Sequence, residues 1–199
     1  LFFIFFLAKG QATLVSSEYF DSQQHTFQLG GSDATINNRY SVVNNGRSVH
    51  LLIPSQIGNT ISVTTPVYDC SNANYVVLKF HHICKVSSAD TVLIEVRDAT
   101  LYGAPWIVIP DSIYLGNASN YGKSGFNENS YPTWLPDSAM AMANNNWWKQ
   151  EIFDITNIVS LAKAEFRFTI KKGTITGSDM SFGWLIDNFE VWGSDSFAK

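Results

Sequence analysis

The sequence is poor in charged residues, and this shortage excludes several classes of protein. Only 15% of its 199 residues are charged, the net charge is −4, and Lys171-Lys172 is its one pair of adjacent basic residues. Nucleic-acid-binding surfaces usually show a basic stripe, so we expect no nucleic-acid partner. Hydrophobic residues make up 45% of the chain and aromatic residues 14%, which is typical of a folded domain with a sizeable core.

The common signatures of enzymes are absent as well. The chain contains no GxSxG, HExxH, P-loop or EF-hand pattern, and no GxGxxG after a strand. Two pairs of carboxylates, Glu95 with Asp98 and Glu151 with Asp154, lie on or beside predicted strands, but their spacing is not one that glycosidases use. We therefore predict a domain without a catalytic site, and glycoside hydrolysis is the least favoured function.

Patterns typical of zinc sites are also missing. The two cysteines, Cys70 and Cys84, form no CxxC motif. His81 and His82 are adjacent on a predicted strand, so their rings point to opposite faces, which favours one surface histidine and one core histidine. An oxidising compartment would allow a disulfide between the cysteines, and two free buried thiols are the alternative.

No segment shows a sustained helical period of apolar residues, and the chain instead alternates over short segments. The clearest alternation covers residues 75–86 and 91–97, which predict a hairpin. Further strands are predicted at residues 17–20, 48–53, 60–68, 147–155, 164–171 and 184–192. Many short strands separated by turn residues predict an all-β fold, a two-layer antiparallel jelly-roll β-sandwich formed by residues 13–199 as a single domain.

A long inserted loop region at about residues 98–146 interrupts this pattern. It contains four of the six prolines and is rich in aromatic residues. Long loops in compact domains are commonly functional, and aromatic rings stack on sugars or anchor protein interfaces. The candidate ligand-binding residues are Trp106, Tyr131, Trp134 and Trp148. The alternative is that the loop folds back and buries these rings.

The first residues predict export from the cell. The apolar run LFFIFFLA is too short to span a bilayer as a helix, and small residues follow it. It matches the hydrophobic part of a secretory signal peptide, so residues 1–12 are predicted to be a partial signal peptide. We expect no membrane-spanning segment elsewhere in the chain and a secreted or cell-surface location.

One carboxylate in the last predicted strand suggests an ion site. By simple alternation Asp187 shares a face with Phe189 and Val191, which should point into the core. A buried charge is costly unless it is paired, hydrogen-bonded or bound to a metal. Glu18 and Asp21 lie on the first strand, which can neighbour the last, so these three carboxylates are candidate ligands of calcium. Backbone N–H groups that satisfy Asp187 are the alternative.

Several of these segments resemble a known family. NWWKQEIFDI (146–155), AEFRF (164–168), GWLIDN (183–188), GFNE (125–128) and YPTW (131–134) are similar to the MAM-like jelly-roll modules of Bacteroidetes surface proteins. Related modules accompany secreted peptidases of the immune-inhibitor type and reelin-type repeats. The resemblance implies a non-catalytic extracellular module, often exported by the type IX route. Some relatives bind calcium through an acidic residue at the position of Asp187.

Together these features predict a non-catalytic binding or adhesion module of a secreted or surface protein, with a glycan or protein ligand at the cell surface. The alternative is a carbohydrate-binding module attached to a secreted hydrolase or peptidase. Calcium is the only cofactor that the sequence suggests.

Overall fold

The computed structural model describes residues 12–194 except 23, 45, 120, 123–124, 135–138, 159–162 and 174–180. The predicted signal segment therefore lies outside the described residues apart from Ala12. The described part contains short 3₁₀ turns and these strands: β1 Thr13–Glu18, β2 Gln28–Leu29, β3 Ala34–Asn37, β4 Ser48–Leu51, β5 Thr60–Thr64, β6 Tyr68–Asp69, β7 Tyr75–Lys85, β8 Thr91–Asp98, β9 Ile107–Val108, β10 Lys149–Asp154, β11 Lys163–Lys171 and β12 Gly183–Ser194. None of the helices described is long and apolar enough to cross a membrane.

The strands form two antiparallel sheets. Sheet A has the order β10-β7-β12-β4-β3, and β1 also pairs with β12. Sheet B has the order β2-β5-β11-β8-β9, and β6 also pairs with β11. One edge of β12 is shared, because β4 pairs with residues 184–186 and β1 pairs with residues 189–193. The predicted two-layer antiparallel jelly-roll sandwich is confirmed.

The two sheets pack through a layer of aromatic rings. Phe168 projects from β11 of sheet B and contacts three rings of sheet A, with centroid distances of 5.1 Å to Phe80, 5.4 Å to Trp184 and 6.0 Å to Phe189. All four side chains are fully buried. Alternation in β7 and β11 turns Phe80 and Phe168 toward the opposite sheet, and β12 supplies Trp184 and Phe189.

The long inserted loop region closes over one edge of the sandwich. Its Phe126 is buried and contacts the ring of His82 at 4.4 Å, and its Tyr121 contacts Phe153 at 5.2 Å. Gly125 lies directly against strand β8, because its α-carbon packs on the carbonyl oxygen of Val92. Its N–H donates to the carbonyl of Gly122 and closes a tight turn. The region is therefore a packed layer of the domain.

Both cysteines are buried free thiols. Of the two alternatives left open by the sequence, the structure shows the unbonded one.

We predict that Gly125→Ala is strongly destabilising. Gly125 has φ +66°, and an added Cβ would overlap the carbonyl oxygen of Val92. The matched control is Gly58→Ala, since Gly58 has φ +80° with nothing within 4 Å of the added atom. Both variants carry the cost of a left-handed alanine, roughly 1–2 kcal/mol, but overpacking should add roughly 1–3 kcal/mol at Gly125 alone. Equal losses in urea unfolding would contradict the packed loop.

Candidate functional site

Asp187 is buried, but it does not face the space between the sheets. It lies opposite His81 on the outer face of sheet A, whereas Val191 lies opposite Leu78 on the inner face. The register shifts between Asp187 and Glu190, and Asn188 takes φ +46°. This bulge reverses the alternation within β12. The prediction that Asp187 shares a face with Val191 was therefore wrong.

Two backbone N–H groups hold the Asp187 carboxylate. The amide of Val42, in the loop between β3 and β4, donates at 2.8 Å, and the amide of Asn188 donates at 2.7 Å. Burial raises the pKa of Asp187 to about 6; the two N–H groups oppose this shift and the Asp21 carboxylate adds to it. The carboxylate is thus satisfied in the way that the sequence left open as the alternative to calcium.

The other two predicted calcium ligands do not join Asp187 in a ligand cluster. Glu18 accepts hydrogen bonds from the amides of Phe20 and Thr26 and from the Thr26 hydroxyl, each at 2.9–3.0 Å, and Asp21 is exposed. Within the described part of the chain, no three His, Cys, Asp or Glu side chains are grouped to hold a metal ion. Calcium binding at Glu18, Asp21 and Asp187 stays a prediction.

We predict that Asp187 makes the stability of the domain fall as pH rises. A carboxyl whose pKa increases on folding from 3.8 to about 6 keeps its proton in the folded state where the unfolded chain has lost it. The free energy of unfolding therefore decreases between about pH 4 and pH 6, by roughly 2–3 kcal/mol at about 1.4 kcal/mol per pKa unit. The measurement is urea unfolding against pH for the wild type and for Asp187→Asn, which should lack this slope.

Bound calcium would reverse that result. It would hold the carboxylate ionised, so stability would increase with pH and a chelator would lower the melting temperature. A melting temperature unchanged by EDTA contradicts the calcium prediction.

The predicted aromatic platform is not a single surface. Tyr131 is only 8% exposed and Trp134 is 0% exposed. The indole N–H of Trp134 donates to the carbonyl of Trp147 at 2.9 Å, and its ring contacts His82 at 5.2 Å. Neither ring is open to a ligand, because the inserted region folds back and buries both. Trp148 is half-buried beside β10 of sheet A, away from Trp106, which lies over sheet B.

Tyr131 instead belongs to a buried polar network around Glu151. One Glu151 oxygen accepts from His82 Nε2 at 2.8 Å and from the Tyr131 hydroxyl at 2.6 Å. The other accepts from the Tyr114 hydroxyl. The indole N–H of Trp184 donates to His82 Nδ1 at 3.0 Å, so the histidine is neutral and carries its proton on Nε2. Three donors thus satisfy a fully buried carboxylate.

The network is a structural element and not an accessible catalytic site. His82 and Glu151 are both 0% exposed. Burial and the neighbouring Glu151 carboxylate raise the pKa values of Tyr114 and Tyr131, so both hydroxyls remain protonated donors. The sequence predicted that one of His81 and His82 is a core histidine, and that residue is His82, which is buried and hydrogen-bonded.

We predict that Glu151→Gln destabilises the domain by about 2–4 kcal/mol, because an amide cannot accept from three donors without presenting its own N–H₂ to one of them. The control is Glu128→Gln, the same chemical change in a half-buried loop residue. The free energies of unfolding in urea should separate the two variants. Equal, small losses would show that the network contributes little.

A second polar array lies on the outer face of sheet B. The ring of Trp106 packs against two guanidinium groups, with 4.6 Å from its centroid to Cζ of Arg97 and 4.4 Å to Cζ of Arg167. Arg167 makes a two-pronged ion pair with Glu95, with both N···O distances 2.7 Å, and Arg97 donates through Nε to Glu165. The two carboxylates and the indole ring therefore restrict the conformations of both arginine side chains.

A groove of about 440 Å³ runs beside this array. Its wall includes Arg97, Glu165, Leu101 and Tyr102. Tyr102 sits in the turn between β8 and β9 and is fully exposed, with no described contact to the rest of the domain. A rigid set of charged donors and acceptors therefore borders two aromatic side chains. We call Trp106, Arg97, Arg167, Glu165 and Tyr102 the sheet B array.

Sequence reasoning selected only Trp106 from this array. The charged residues occupy alternate positions of two predicted strands, Glu95 and Arg97 on one and Glu165 and Arg167 on the other. That alternation is a signal for a polar sheet face. It does not show that the two strands are neighbours, and only the strand order brings the charges together.

Comparison with solved structures gives carbohydrate-binding modules. The CBM22-1 xylan-binding domain of Paenibacillus barcinonensis Xyn10C matches with a TM-score of 0.47 and 9% identity, over 94% of this chain and 97% of that one. A Clostridium thermocellum xylanase 10B structure containing CBM22-1 matches with a TM-score of 0.48 and 9% identity, over 94% of this chain and 29% of that one. A carbohydrate-binding module that recognises mannan matches with a TM-score of 0.46 and 10% identity, over 92% of this chain and 98% of that one.

No protein-family profile and no curated protein matches the chain. At identities of 9–10% the structural similarities assign no ligand to this chain. The ligand therefore has to be inferred from the surface residues of this chain.

Proposed function

We propose that this protein is a non-catalytic extracellular module that binds a glycan on the outer face of sheet B. The observation that carries the proposal is the sheet B array, in which ion-paired arginines and an indole ring form a fixed surface beside an open groove. Export from the cell and the resemblance to MAM-like modules remain predictions that fit this role.

The array offers the chemistry that sugars require. A sugar ring has apolar C–H faces that stack on aromatic rings and hydroxyl groups that exchange hydrogen bonds with planar polar side chains. Tyr102 presents a free aromatic face, and Arg97 and Glu165 present a donor and an acceptor in the same groove. Because Glu95, Glu165 and Trp106 hold the arginines, little side-chain entropy is lost when a ligand binds.

Adhesion to a protein is the second candidate, and one observation favours it. Exposed apolar side chains line the groove at Val67 and Leu101, and two more, Ile107 and Val108, lie on β9. Exposed apolar patches with a polar rim are typical of protein interfaces. The ion-paired floor of the groove distinguishes the two functions, since the centre of a protein interface is usually depleted of charge.

We predict that Tyr102→Ala and Trp106→Ala each weaken glycan binding roughly 2- to 13-fold, because stacking on an aromatic ring contributes roughly 0.5–1.5 kcal/mol. Tyr102 is fully exposed, so its removal should leave the melting temperature unchanged. The control is Trp192→Ala, which removes another indole that contacts a cation, Lys79 at 5.0 Å, on sheet A. The measurement is a glycan array followed by calorimetric titration.

An absence of binding to every glycan, together with capture of a protein ligand that depends on Leu101 and Val108, would replace the proposal by adhesion. Binding that is lost in Trp192→Ala and retained in Tyr102→Ala would move the site to sheet A.

A further inference from the structure

We propose that the glycan is acidic, and that Arg97 anchors one of its carboxylate or sulfate groups. This inference rests on the proposed function and names the class of ligand for the same site. It starts from the hydrogen bonds that Arg97 makes and from those that it leaves free.

Arg97 uses only one side of its guanidinium within the protein. Its Nε donates to Glu165, and its face packs against Trp106. Within the described part of the chain, its two terminal amino groups have no hydrogen-bond partner, and the side chain is 34% exposed. Two parallel N–H groups on a planar fork match the two oxygens of a carboxylate or sulfate, and such charge-assisted pairs are about twice as strong as neutral hydrogen bonds.

The charge that reaches the solvent on this face is positive. The Glu95 and Glu165 side chains are only 8% exposed, while those of Arg167 and Arg97 are 29% and 34% exposed. The carboxylates lie underneath and fix the arginines, and the guanidinium groups reach the solvent. The field above a groove follows the charges nearest to it, so an anionic ligand is favoured although the net charge of the chain is −4.

The ends of β11 extend this surface. Lys163 and Lys171 are exposed and, by alternation, lie on the same face as Arg167. Asp69 pairs with Lys163 and offsets its charge, so the positive part of the face is centred on the two arginines and Lys171. A chain with acidic groups at several positions could contact it along β11.

Tyr102, the aromatic residue that lines the groove, favours an anionic group that is attached to a sugar ring. Arg97 and Tyr102 line the same groove, so an anionic group on Arg97 brings the attached ring to the free face of Tyr102. Inorganic phosphate or sulfate has no ring to stack. An acidic sugar uses both residues, which is why a glycan and not a free anion fits the site.

The experiment compares charged polysaccharides with their neutral counterparts on the full chain. Polygalacturonate is paired with its carboxyl-reduced form, and dextran sulfate is paired with dextran. Affinity electrophoresis and calorimetric titration are run at low and at 0.5 M salt. We expect at least 10-fold tighter binding of one charged polymer than of its neutral partner, and a loss of this preference at high salt. The better pair shows whether the anion is a carboxylate or a sulfate.

Two variants isolate Arg97. Arg97→Lys keeps the charge and a partner for Glu165 but removes the fork, and Arg97→Gln/Glu165→Gln removes the ion pair without leaving a buried charge unpaired. Both should weaken binding of the charged polymer roughly 10-fold or more. The matched control is Lys79→Gln, which removes a charge that contacts the ring of Trp192 on sheet A and should change binding less than 3-fold. Circular dichroism melts verify that the variants are folded.

Equal affinity for the charged and neutral polymers, or wild-type affinity in Arg97→Lys, would overturn the inference. If a neutral glycan binds and depends on Tyr102, the proposed function holds while the acidic ligand is excluded. If no polysaccharide binds, both fail.

Discussion

The domain depends on the burial of one carboxylate. Glu151 projects from β10 into the space between the sheets, where an unpaired charge would cost several kcal/mol. One of its donors, His82, comes from the neighbouring strand, but Tyr114 and Tyr131 come from the inserted region. The inserted region must therefore fold onto the sandwich for the core to be stable. The docked region also holds the chain just after β9, where the Tyr121 hydroxyl donates to the carbonyl of Ile109 at 2.9 Å.

The same principle, a carboxylate that positions hydrogen-bond donors, recurs on the outside of the domain with the opposite consequence. Glu95 and Glu165 hold Arg167 and Arg97 against one face of sheet B, and the terminal amino groups of Arg97 make no hydrogen bond within the described part of the chain. Inside, the network consumes every donor and is closed to ligands. On the outer face of sheet B, the ion-paired network leaves the terminal amino groups of Arg97 without a hydrogen-bond partner in the described part of the chain. A structural polar cluster has all its donors hydrogen-bonded within the protein, whereas a candidate binding surface keeps some donors free for a ligand.

The sequence predicted the architecture well and the sites poorly, for identifiable reasons. Alternation in β7, β8 and β11 is regular, so the strands and the two-layer sandwich could be inferred from local pattern. Asp187 was assigned to the wrong face because one bulge reverses the alternation. The pair Asp187-Asn188 carried a weak signal for it, since asparagine adopts left-handed backbone more readily than most residues.

The aromatic residues show why exposure could not be predicted. Trp134 and Tyr131 find their partners, His82 and Glu151, on strands distant in sequence. Tyr102 looks no different from them in the sequence, yet among the described residues it has no such partner, and it stays exposed. Similarly, Arg97 and Glu165 meet only because β8 and β11 are neighbours, and strand order is a property of the whole fold.

The pairing of the first strand, β1, with the last, β12, has a consequence for how such a unit can be used. Thr13, at the start of β1, lies directly opposite Gly193, near the end of β12. The first and last described strands therefore begin and end at one corner of the sandwich, on neighbouring strands. A unit with this layout can be grafted into a surface loop of a larger host, or strung in tandem, without a spacer to bridge its width. The sheet B array is carried by other strands, so attachment at that corner leaves it free to engage its target.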